Sequence, residues 1–490
     1  MTHSLFWHDY ETSGTHPQKD RPLQFAGVRT DLDFNIIDEP ISIYCKLALD
    51  TLPHPDACLL TGITPTLIEE KGMCEATFAR LIYEQLAQPY TCSLGYNSVR
   101  FDDEVTRHLL YRNFYDAYER EWQNGNSRWD LLDVFRAAQA LRPDGLNWVY
   151  DKAEGMPLFK LDQLTIANDI KHQEAHNALS DVYATLSLAN LLRKAQPRLF
   201  QFLFEHRTKT QALKLLNVGK GQPLIHVSGM YPASKNCLAI VLPLCIHPKN
   251  INEIIVYDVG IDPTPLIQLA AEDIKARLFV ATDALPENVK RMPLKTVHIN
   301  KCPVLAPLNV LRAQDIERLG LDIEESLHHS ALLTSHLKQK EFNEKIAAVF
   351  EKSYSHEEID VDLALYSGGF FSAADKHIMT KIRHATPEAL ANVAFAPHEK
   401  NDRLQEMLFR YRARNYPSTL TSQEWQKWRD FCISKLTKLN ANTTLLLTAY
   451  LERIQALEIQ HADPVIMQDL RDYLQSKLHQ LDIDLDVLKI

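Results

Sequence analysis

The chain has 490 residues, which is more than a single hydrophobic core usually holds, so two to four domains are expected. Hydrophobic residues make up 45% and charged residues 24% of the sequence, which is typical of a globular protein. The net charge of −10 argues against a protein that merely coats nucleic acid, because such proteins are basic overall. Contact with nucleic acid would therefore need local basic patches or an acidic site that recruits metal ions.

The sequence shows no pattern that would direct the chain to a membrane. The longest apolar run, CLAIVLPLCI at 237–246, is about half as long as a bilayer-spanning helix. The first residues, MTHSLFWHDY, lack a basic stretch followed by an apolar core, so no secretory signal is expected. The 8 cysteines are scattered without a CxxC motif, which indicates reduced thiols and a cytoplasmic protein.

Residues 1–196 alternate strand and helix patterns, which predicts an α/β domain. The predicted strands are SLFWHDYE, LQFAGVRTD, ISIYCKLA and TCSLGYN. Apolar residues recur with helical spacing in EATFARLIYEQLA, DEVTRHLLYRNFYDAY, WDLLDVFRAAQAL and HNALSDVYATLSLANLLRKA. Pro197, in KAQPRLF, is expected to mark the exit from this domain.

Two further regions differ from the first in their pattern. Between residues 197 and 352, turn residues separate the predicted strands PLIHVSG, CLAIVLPLCI, EIIVYDVG, RLFVAT and LKTVHINKCPVL, which indicates a β-rich domain. Residues 353–490 are mostly helical in pattern, from DKHIMTKIRHA through LQEMLFRYRARN and LTAYLERIQALEIQ to VIMQDLRDYLQSKLHQL. The sequence therefore predicts three domains, at 1–196, 197–352 and 353–490.

The first predicted strand ends in two carboxylates, Asp9 and Glu11. Residues two apart in a strand face the same side, so both carboxylates should converge on one point, with Leu5 and Trp7 anchoring that face in the core. Two hard oxygen ligands suit Mg²⁺ or Mn²⁺. The alternative is a strand that ends in a solvated turn, because a lone DxE is common.

A second acidic stretch, Asp102-Asp103-Glu104, follows Phe101 and leads into a predicted helix. The helix macrodipole favours acidic residues in the first turn, which is a sufficient explanation for Asp103 and Glu104. Asp102 directly follows the apolar Phe101 and is the better candidate to face inward.

The third stretch, HQEAHNALSDVYATLSLANLL, contains His176 and Asp181. Residues five apart on one helix lie about 140° apart around its axis, so these two would not share a face. They converge if Asp181 lies on the helix and His176 in the loop just before it. A histidine at a helix start is, however, more often a surface residue.

In their order and spacing, Asp9, Glu11, Asp102, His176 and Asp181 resemble the DEDD superfamily of 3′→5′ exonucleases. The four-residue gap after His176 is that of the histidine subgroup, since the last motif of the tyrosine subgroup reads Tyr-xxx-Asp. The chain also resembles the bacterial exodeoxyribonuclease I family over nearly its whole length, in HDYETSGTHPQKDRPLQFAGVRTD, GYNSVRFDDEVTRHLLYRNFYDAY, NSRWDLLDV, HVSGM, VHINKCPVLA, GFFSAAD and FRYRARNYP. This resemblance implies an RNase H-like exonuclease domain, an SH3-like middle domain and a helical C-terminal domain that together form a C-shape.

The resemblance implies phosphodiester hydrolysis with two divalent cations about 4 Å apart, one generating hydroxide and one holding the leaving 3′ oxygen. Asp9, Glu11, Asp102 and Asp181 would bind two Mg²⁺ ions, with Glu11 as a bridge and Mn²⁺ as a substitute. His176 would be the general base, because an unperturbed imidazole titrates near roughly pH 6.5.

An exonuclease that acts on single strands needs phosphate contacts and stacking surfaces. In YDAYEREW, Tyr118 and Trp122 are predicted on one helix face, where they would stack on bases, with packing into the core as the alternative. Arg107, Arg128 and Arg136 would contact phosphates, with structural ion pairs as the alternative.

By resemblance, Glu11 and Thr12 lie beside the terminal nucleotide, and Phe159 and Lys160 contact the substrate. Relatives have Arg after the Phe, so Lys160 keeps the charge but loses a bidentate grip on phosphate. Further DNA contacts are expected in segments that match the family, at Lys209, Asn252, Lys295, Asn300, Lys301 and Tyr366. For Arg410, Arg412 and Arg414 we expect either a groove or a solvated helix face.

The implied function is a processive 3′→5′ exonuclease that degrades single-stranded DNA from a free 3′ end to nucleoside 5′-monophosphates in DNA repair and recombination. The family also docks the acidic C-terminal tail of single-stranded DNA-binding protein on a basic surface that the sequence does not locate. An exoribonuclease is an alternative, although about 300 residues follow the first predicted domain and RNA-trimming members usually have a single domain. A non-catalytic scaffold is the other alternative, which the complete set of five residues disfavours. A monomer is the default expectation.

Overall fold

A computed structural model describes residues 3–172, 176–281, 284–351, 359–393, 402–439 and 445–483 of the chain. Internal packing divides the chain into two compact units. The first unit comprises Met1–Ser127, His172–Leu186 and Glu357–Ile490, and the second comprises Arg128–Lys171 and Ser187–His356. The three sequence domains stay predictions, and the boundary predicted between 352 and 353 lies outside the described residues.

The strands form three sheets within the described residues. In chain order they are β1 (Ser4–Thr12), β2 (Pro22–Thr30), β3 (Ile41–Cys45), β4 (Gly72–Met73), β5 (Thr91–Gly95), β6 (Ser127–Asp130), β7 (Val149–Tyr150), β8 (Pro157–Leu158), β9 (Leu224–Val227), β10 (Leu238–Ile246), β11 (Glu253–Asp258), β12 (Leu294–His298) and β13 (Val304–Pro307). The strand orders are β4-β3-β2-β1-β5-β6, β12-β11-β10-β9-β13 and β7-β8.

The helices lie between and after these strands. In chain order they are α1 (Pro55–Thr61), α2 (Pro65–Lys71), α3 (Glu75–Leu86), α4 (Asp102–Arg112), α5 (Leu131–Leu141), α6 (Leu161–Ala167), α7 (Ala178–Ala195), α8 (Pro197–Glu205), α9 (Lys209–Leu216), α10 (Thr264–Gln268), α11 (Ala271–Leu278), α12 (Ala313–Leu319), α13 (Ile323–Leu337), α14 (Lys340–Val349), α15 (Ala373–His384), α16 (Pro387–Leu390), α17 (Asp402–Asn415), α18 (Ser422–Thr437), α19 (Leu447–Ile459) and α20 (Pro464–Leu481). Among these described helices, none combines the length and the apolar character that crossing a bilayer requires.

Strand β1 lies inside the sheet of the first unit. It pairs antiparallel with β2 and parallel with β5. Leu5 and Trp7 are 2% and 0% exposed, so the start of β1 is fixed in the core as its sequence predicts. The neighbouring strand β2 is buried along all nine residues, as expected for a strand covered on both faces. β1 stays paired with β2 as far as Glu11, at the end that carries the carboxylates.

The C-terminal helices belong to the first unit and have their own core. Trp428 on α18, Tyr450 on α19 and Leu470 on α20 are each at most 1% exposed. Helix α18 begins with a capping box, in which Thr421 and Glu424 satisfy each other's backbone N–H groups. The prediction of a helical C-terminal region is confirmed.

The solvated helix face expected as one alternative for Arg410, Arg412 and Arg414 is wrong, because all three side chains are buried and ion-paired. Arg410 and Arg414 place Nη atoms 3.0 and 2.5 Å from Asp362. Arg412 places Nη1 2.7 Å from Glu424. A buried arginine needs a nearby carboxylate to offset its desolvation, and sequence spacing alone does not show which distant carboxylate supplies it.

The second unit is built on a five-stranded antiparallel sheet whose two faces are both covered. Alternate residues of β10 enter different cores. Ile240, Leu242 and Leu244 pack with residues of α10, α11, α13 and α14. Ala239 and Val241 pack on the other face with residues of α9. The apolar run CLAIVLPLCI therefore forms a strand whose alternate side chains are buried on opposite faces of the sheet.

The predicted strand RLFVAT is wrong. Arg277 and Leu278 are the last residues of α11, and Phe279 follows the helix. Ile274 and Leu278 are both buried one helical turn apart, and the segment has acidic residues in its first turn and basic residues in its last. The helical signal of AEDIKARL therefore outweighs the β-propensity of the following residues. Thr282 lies outside the described residues.

Candidate metal centre and active site

Three carboxylates meet at the end of β1. One oxygen from each of Asp9, Glu11 and Asp181 lies within 4.8 Å of the other two. Asp9 and Glu11 are half-buried and extend from the same face of β1, while Asp181 lies in the first turn of α7. The structure thus brings the first and third acidic stretches together, although about 170 residues separate them in the chain.

A fourth carboxylate, Asp102, is fixed to the same strand. Asp102 is the first residue of α4 and is 2% exposed. Its Oδ1 accepts a hydrogen bond of 3.0 Å from the backbone N–H of Tyr10, which lies between Asp9 and Glu11 on β1. This backbone anchor holds Asp102 next to the three-carboxylate group.

The carboxylates repel one another, which favours a bound cation. Burial, followed by the charges of Asp102, Glu11 and Asp181, raises the pKa of Asp9 well above its usual value. Burial and the charges of Asp181 and Asp102 raise the pKa of Glu11 to about 9. Hard oxygen donors with uncompensated negative charge are the ligands that divalent cations such as Mg²⁺ prefer. The residues present therefore fit the binding of a divalent cation, and the number of ions stays a prediction.

His176 lies in the turn just before α7, in the arrangement that lets it and Asp181 converge. The helix begins after Asn177, whose Oδ1 accepts from the N–H groups of Leu179 and Ser180 at 3.2 and 3.4 Å. His176 has a backbone φ of 68°, in the left-handed region, which turns the chain away from the helix axis. Residues 173–175 of this stretch lie outside the described residues.

A second histidine contacts the site, and sequence analysis missed it. The Nε2 atom of His172 lies 2.5 Å from Oδ1 of Asp181. The side chains of His172 and Asp181 are 4% and 16% exposed. The only sequence signal is a histidine four residues before His176 in KHQEAH, which does not by itself indicate contact with Asp181.

Family models match nearly the whole chain. Residues 6–189 match the model described as Exonuclease, 207–352 the Exonuclease I SH3-like domain and 359–477 the Exonuclease I C-terminal domain. The chain is 45% identical over 461 residues to Exodeoxyribonuclease I of Escherichia coli, covering 94% of each chain. The chain belongs to the exodeoxyribonuclease I family. The resemblance seen in the motifs is thereby confirmed, and so is the enzyme class.

Further relatives agree with this assignment. Exodeoxyribonuclease I of Haemophilus influenzae is 46% identical over 437 residues, covering 89% of this chain and 91% of that protein. The structure of Exonuclease I from Methylocaldum szegediense has a TM-score of 0.90 and 48% identity, covering 97% of this chain and 100% of that one. E. coli Exonuclease I in complex with a dA16 oligonucleotide has a TM-score of 0.90 and 43% identity with the same coverage. The predicted fold class, with exonuclease, SH3-like and helical C-terminal domains, is confirmed.

Arg107 is buried in an ion-pair network on α4. Its Nη1 lies 2.7 Å from Glu104 and its Nε 2.7 Å from Glu121. Tyr366 donates its hydroxyl to Glu104 at 2.6 Å and accepts from Arg107 at 3.2 Å. The structural ion pair named as the alternative for Arg107 is therefore present, and phosphate contact by Arg107 and DNA contact by Tyr366 stay predictions.

The predicted helix face carrying Tyr118 and Trp122 is wrong, because α4 ends at Arg112. Asp116 Oδ1 accepts from the N–H groups of Tyr118 and Glu119 at 2.9 and 3.2 Å, and a short 3₁₀ turn follows instead of an α-helix. Tyr118 is half-buried with the Arg107 guanidinium 5.5 Å from its ring centre, whereas the Trp122 side chain is 64% exposed. Base stacking by either ring stays a prediction.

Thr12 closes the strand that carries the carboxylates. It is buried, and its hydroxyl donates to the carbonyl oxygen of Gly14 at 2.6 Å. The pairing of β1 with β2 shifts register between Glu11 and Thr12. Such a bulge re-aims side chains at the end of a strand, and contact of Thr12 with the substrate stays a prediction.

Arg128 and Arg136 lie in the second unit, and both have partners there. Arg128 is 7% exposed and donates to the carbonyl oxygen of Asn300 at 2.8 Å. Arg136 lies 2.5 Å from Asp133 and 5.8 Å from the ring centre of Phe159. The structural ion pair named as the alternative is therefore present for Arg136, and phosphate contact by both arginines stays a prediction.

The remaining predicted contacts in the second unit are more accessible. Lys160 is exposed at the N-terminus of α6, and Lys301 is exposed near β13. Lys209 donates to Asn252 Oδ1 at 2.6 Å, and Lys295 donates to the carbonyl oxygen of Met230 at 2.8 Å. DNA contact by these residues stays a prediction.

Proposed function

We propose that this chain is a 3′→5′ exodeoxyribonuclease that hydrolyses single-stranded DNA at divalent cations held by Asp9, Glu11, Asp102 and Asp181. The group of three carboxylate oxygens within 4.8 Å, with Asp102 anchored beside it, carries the proposal. Membership of the exodeoxyribonuclease I family supports it, as does the E. coli relative's complex with dA16. A zinc-bound form of the E. coli enzyme with single-stranded DNA supports dependence on a divalent metal.

Two divalent cations, when bound, lower the pKa of a water molecule and offset the charge on the leaving oxygen. By resemblance to the family, Glu11 would be a ligand that both ions share, and one of its oxygens lies within 4.8 Å of oxygens of Asp9 and Asp181. Asp102 contributes from a side chain already oriented by the Tyr10 N–H. Mg²⁺ is the proposed ion because all four donors are hard oxygens, and Mn²⁺ would substitute.

His176 is the proposed general base. It lies in the turn just before the helix that carries Asp181, which supports a role close to the metal ligands. A histidine takes a proton from water efficiently near neutral pH. The enzyme would release nucleoside 5′-monophosphates from a free 3′ end, with the terminal nucleotide next to Glu11 and Thr12.

We further propose that the chain acts processively as a monomer in the cytoplasm, in DNA repair and recombination. The substrate contacts proposed from the family motifs are Arg107, Tyr118, Trp122, Arg128, Arg136, Phe159, Lys160, Lys209, Asn252, Lys295, Asn300, Lys301 and Tyr366. A complex of single-stranded DNA-binding protein with a relative, Exonuclease I, supports docking of that protein's acidic tail. All 8 cysteines are free thiols, which suits a reducing compartment.

Labelled oligonucleotides test the function directly. Purified protein is incubated with 3′- and 5′-labelled DNA and RNA oligomers, with Mg²⁺ or with chelator. We expect mononucleotides from the 3′ end of DNA only, and only with Mg²⁺. Asp181→Asn should lower the rate by about 10³-fold, since losing a ligand removes several kcal/mol of transition-state stabilisation.

The matched control is Asp430→Asn, which changes an exposed carboxylate on α18 and should keep the wild-type rate. Digestion in chelator, or an Asp181→Asn protein as fast as the control, would refute a metal-dependent mechanism. Preferential digestion of RNA would favour the exoribonuclease alternative, and binding without cleavage would favour a scaffold.

A further inference from the structure

His172 is a buried histidine that the proposed mechanism does not use. Its Nε2 atom lies 2.5 Å from Oδ1 of Asp181, and only 4% of its side chain is exposed. Cation binding requires Asp181 to be ionised, and an ionised carboxylate can only accept hydrogen bonds, so in the cation-binding form Nε2 would carry the hydrogen and donate it. A bond from a nearly buried donor to a charged acceptor is among the stronger and more directional contacts in a protein.

The contact restricts how Asp181 can present its oxygens. An aspartate on a helix can still rotate its carboxylate about the terminal torsion, which is broad and roughly two-fold. The contact of Oδ1 with His172 restricts this rotation and so favours one orientation of the carboxylate. The carboxylate of Asp102 is oriented in a similar way, because its Oδ1 accepts a hydrogen bond from the backbone N–H of Tyr10 on β1. Two of the four carboxylates are therefore oriented by fixed donors.

We propose that His172 is a positioning residue that orients the Asp181 carboxylate for binding a divalent cation. The inference rests on the proposed function, because it takes Asp181 as a metal ligand. It separates the two histidines of this stretch by role: His176 acts on the attacking water, and His172 acts only through Asp181. Removing the hydrogen-bonded partner of a metal ligand typically lowers metal affinity by about 10–100-fold.

The test measures Mn²⁺ binding to the full-length protein without DNA, by the electron paramagnetic resonance signal of free Mn²⁺. His172→Leu and His172→Gln form a matched pair of similar size, of which only Gln can donate to Asp181. We expect Leu to weaken Mn²⁺ affinity by about 10–100-fold and Gln to stay within about threefold of wild type. His377→Ala, which changes an exposed histidine on α15, is the control and should bind Mn²⁺ as wild type does.

Activity at saturating Mn²⁺ gives a second readout. A residue that only orients a ligand is compensated by excess metal, so His172→Leu should recover its nuclease rate to within a few-fold, whereas His176→Ala should not. Equal Mn²⁺ affinity of the Leu and Gln variants would overturn the proposal. Tighter binding by His172→Leu would also overturn it, because His172 would then compete with the cation.

The outcome is separable from that of the proposed function. A wild-type protein that releases no nucleotides from DNA would refute the function, whatever the Mn²⁺ affinities of the variants. A wild-type protein that digests DNA, together with equal affinities for the Leu and Gln variants, would refute only the role of His172. Thermal melting of both variants in chelator shows that the comparison is made between folded proteins.

Discussion

Replacing Glu11 by Gln should stabilise the metal-free protein, because it removes a charge from the carboxylate group while keeping the size of the side chain. The carboxylate oxygens of Asp9, Glu11 and Asp181 lie within 4.8 Å of one another. At that distance and an effective dielectric constant of about 20, each pair of unit charges repels by about 3.5 kcal/mol. Partial protonation reduces this repulsion, so we expect a gain of about 1–3 kcal/mol in the free energy of unfolding.

The effect should depend on pH in a defined direction. The pKa of Glu11 is raised from 4.5 to about 9, so the folded chain holds this proton more tightly than the unfolded chain does. The unfolded chain therefore releases the proton first, and metal-free stability falls as pH rises from about 4.5 to 9. Glu11→Gln lacks this loss, so its advantage over wild type should be small at the acid end and grow toward the alkaline end.

Thermal unfolding in chelator and in Mg²⁺ measures both effects. In chelator near neutral pH, Glu11→Gln should melt about 2–6 °C above wild type, since 1 kcal/mol corresponds to about 2 °C for a unit of this size. In saturating Mg²⁺ the difference in melting temperature between Glu11→Gln and wild type should become smaller or change sign, because the cation stabilises only a protein that binds it. Glu84→Gln is the matched control, since Glu84 is 52% exposed and pairs with Arg80 on the surface of α3. A Glu11→Gln protein that melts at or below wild type in chelator would refute the reasoning.

Three further predictions concern the base, a stacking surface and the buried ion pairs. His176→Ala should lower the rate of nucleotide release by at least about 10²-fold, with DNA affinity in chelator unchanged by fluorescence anisotropy; a rate within a few-fold of wild type would contradict its role. Trp122→Ala should weaken binding of single-stranded DNA by about 1–3 kcal/mol, whereas Trp425→Ala, the matched exposed tryptophan, should not. Asp50→Ala should lower the free energy of unfolding in urea by about 3–5 kcal/mol, because Asp50 is 0% exposed and pairs with Arg414 at 2.9 Å; a loss below 1 kcal/mol would contradict this role of the ion pair.

Much of the site can be predicted from the sequence, because it depends on the periodicity of one strand and the capping of one helix. Asp9 and Glu11 share a face because a strand repeats every two residues, and Leu5 and Trp7 fix which face that is. Asn177 caps α7, so Asp181 lies in the first turn of the helix and His176 lies outside it. These signals come from residues close together in the chain, so the sequence is sufficient to predict them.

The features that sequence analysis missed depend on contacts between distant residues. The buried guanidinium of Arg414 pairs with Asp50, which lies 364 positions away in the chain. Tyr118 and Trp122 leave the helical pattern because Asp116 binds the backbone N–H groups that a helix would use. His172 contacts Asp181, which lies 9 positions further along the chain, and no local pattern indicates that contact. In each case a tertiary contact decides between conformations that the local pattern allows equally.

The central claim is that Asp9, Glu11, Asp102 and Asp181 together bind the cations that cleave DNA. Anomalous scattering from crystals of His176→Ala soaked with Mn²⁺ and a short single-stranded oligonucleotide tests it most directly. The account predicts two manganese peaks, each about 2–2.5 Å from oxygens of these carboxylates and next to the 3′-terminal phosphate. Well-ordered DNA with no manganese peak at these four side chains would contradict it.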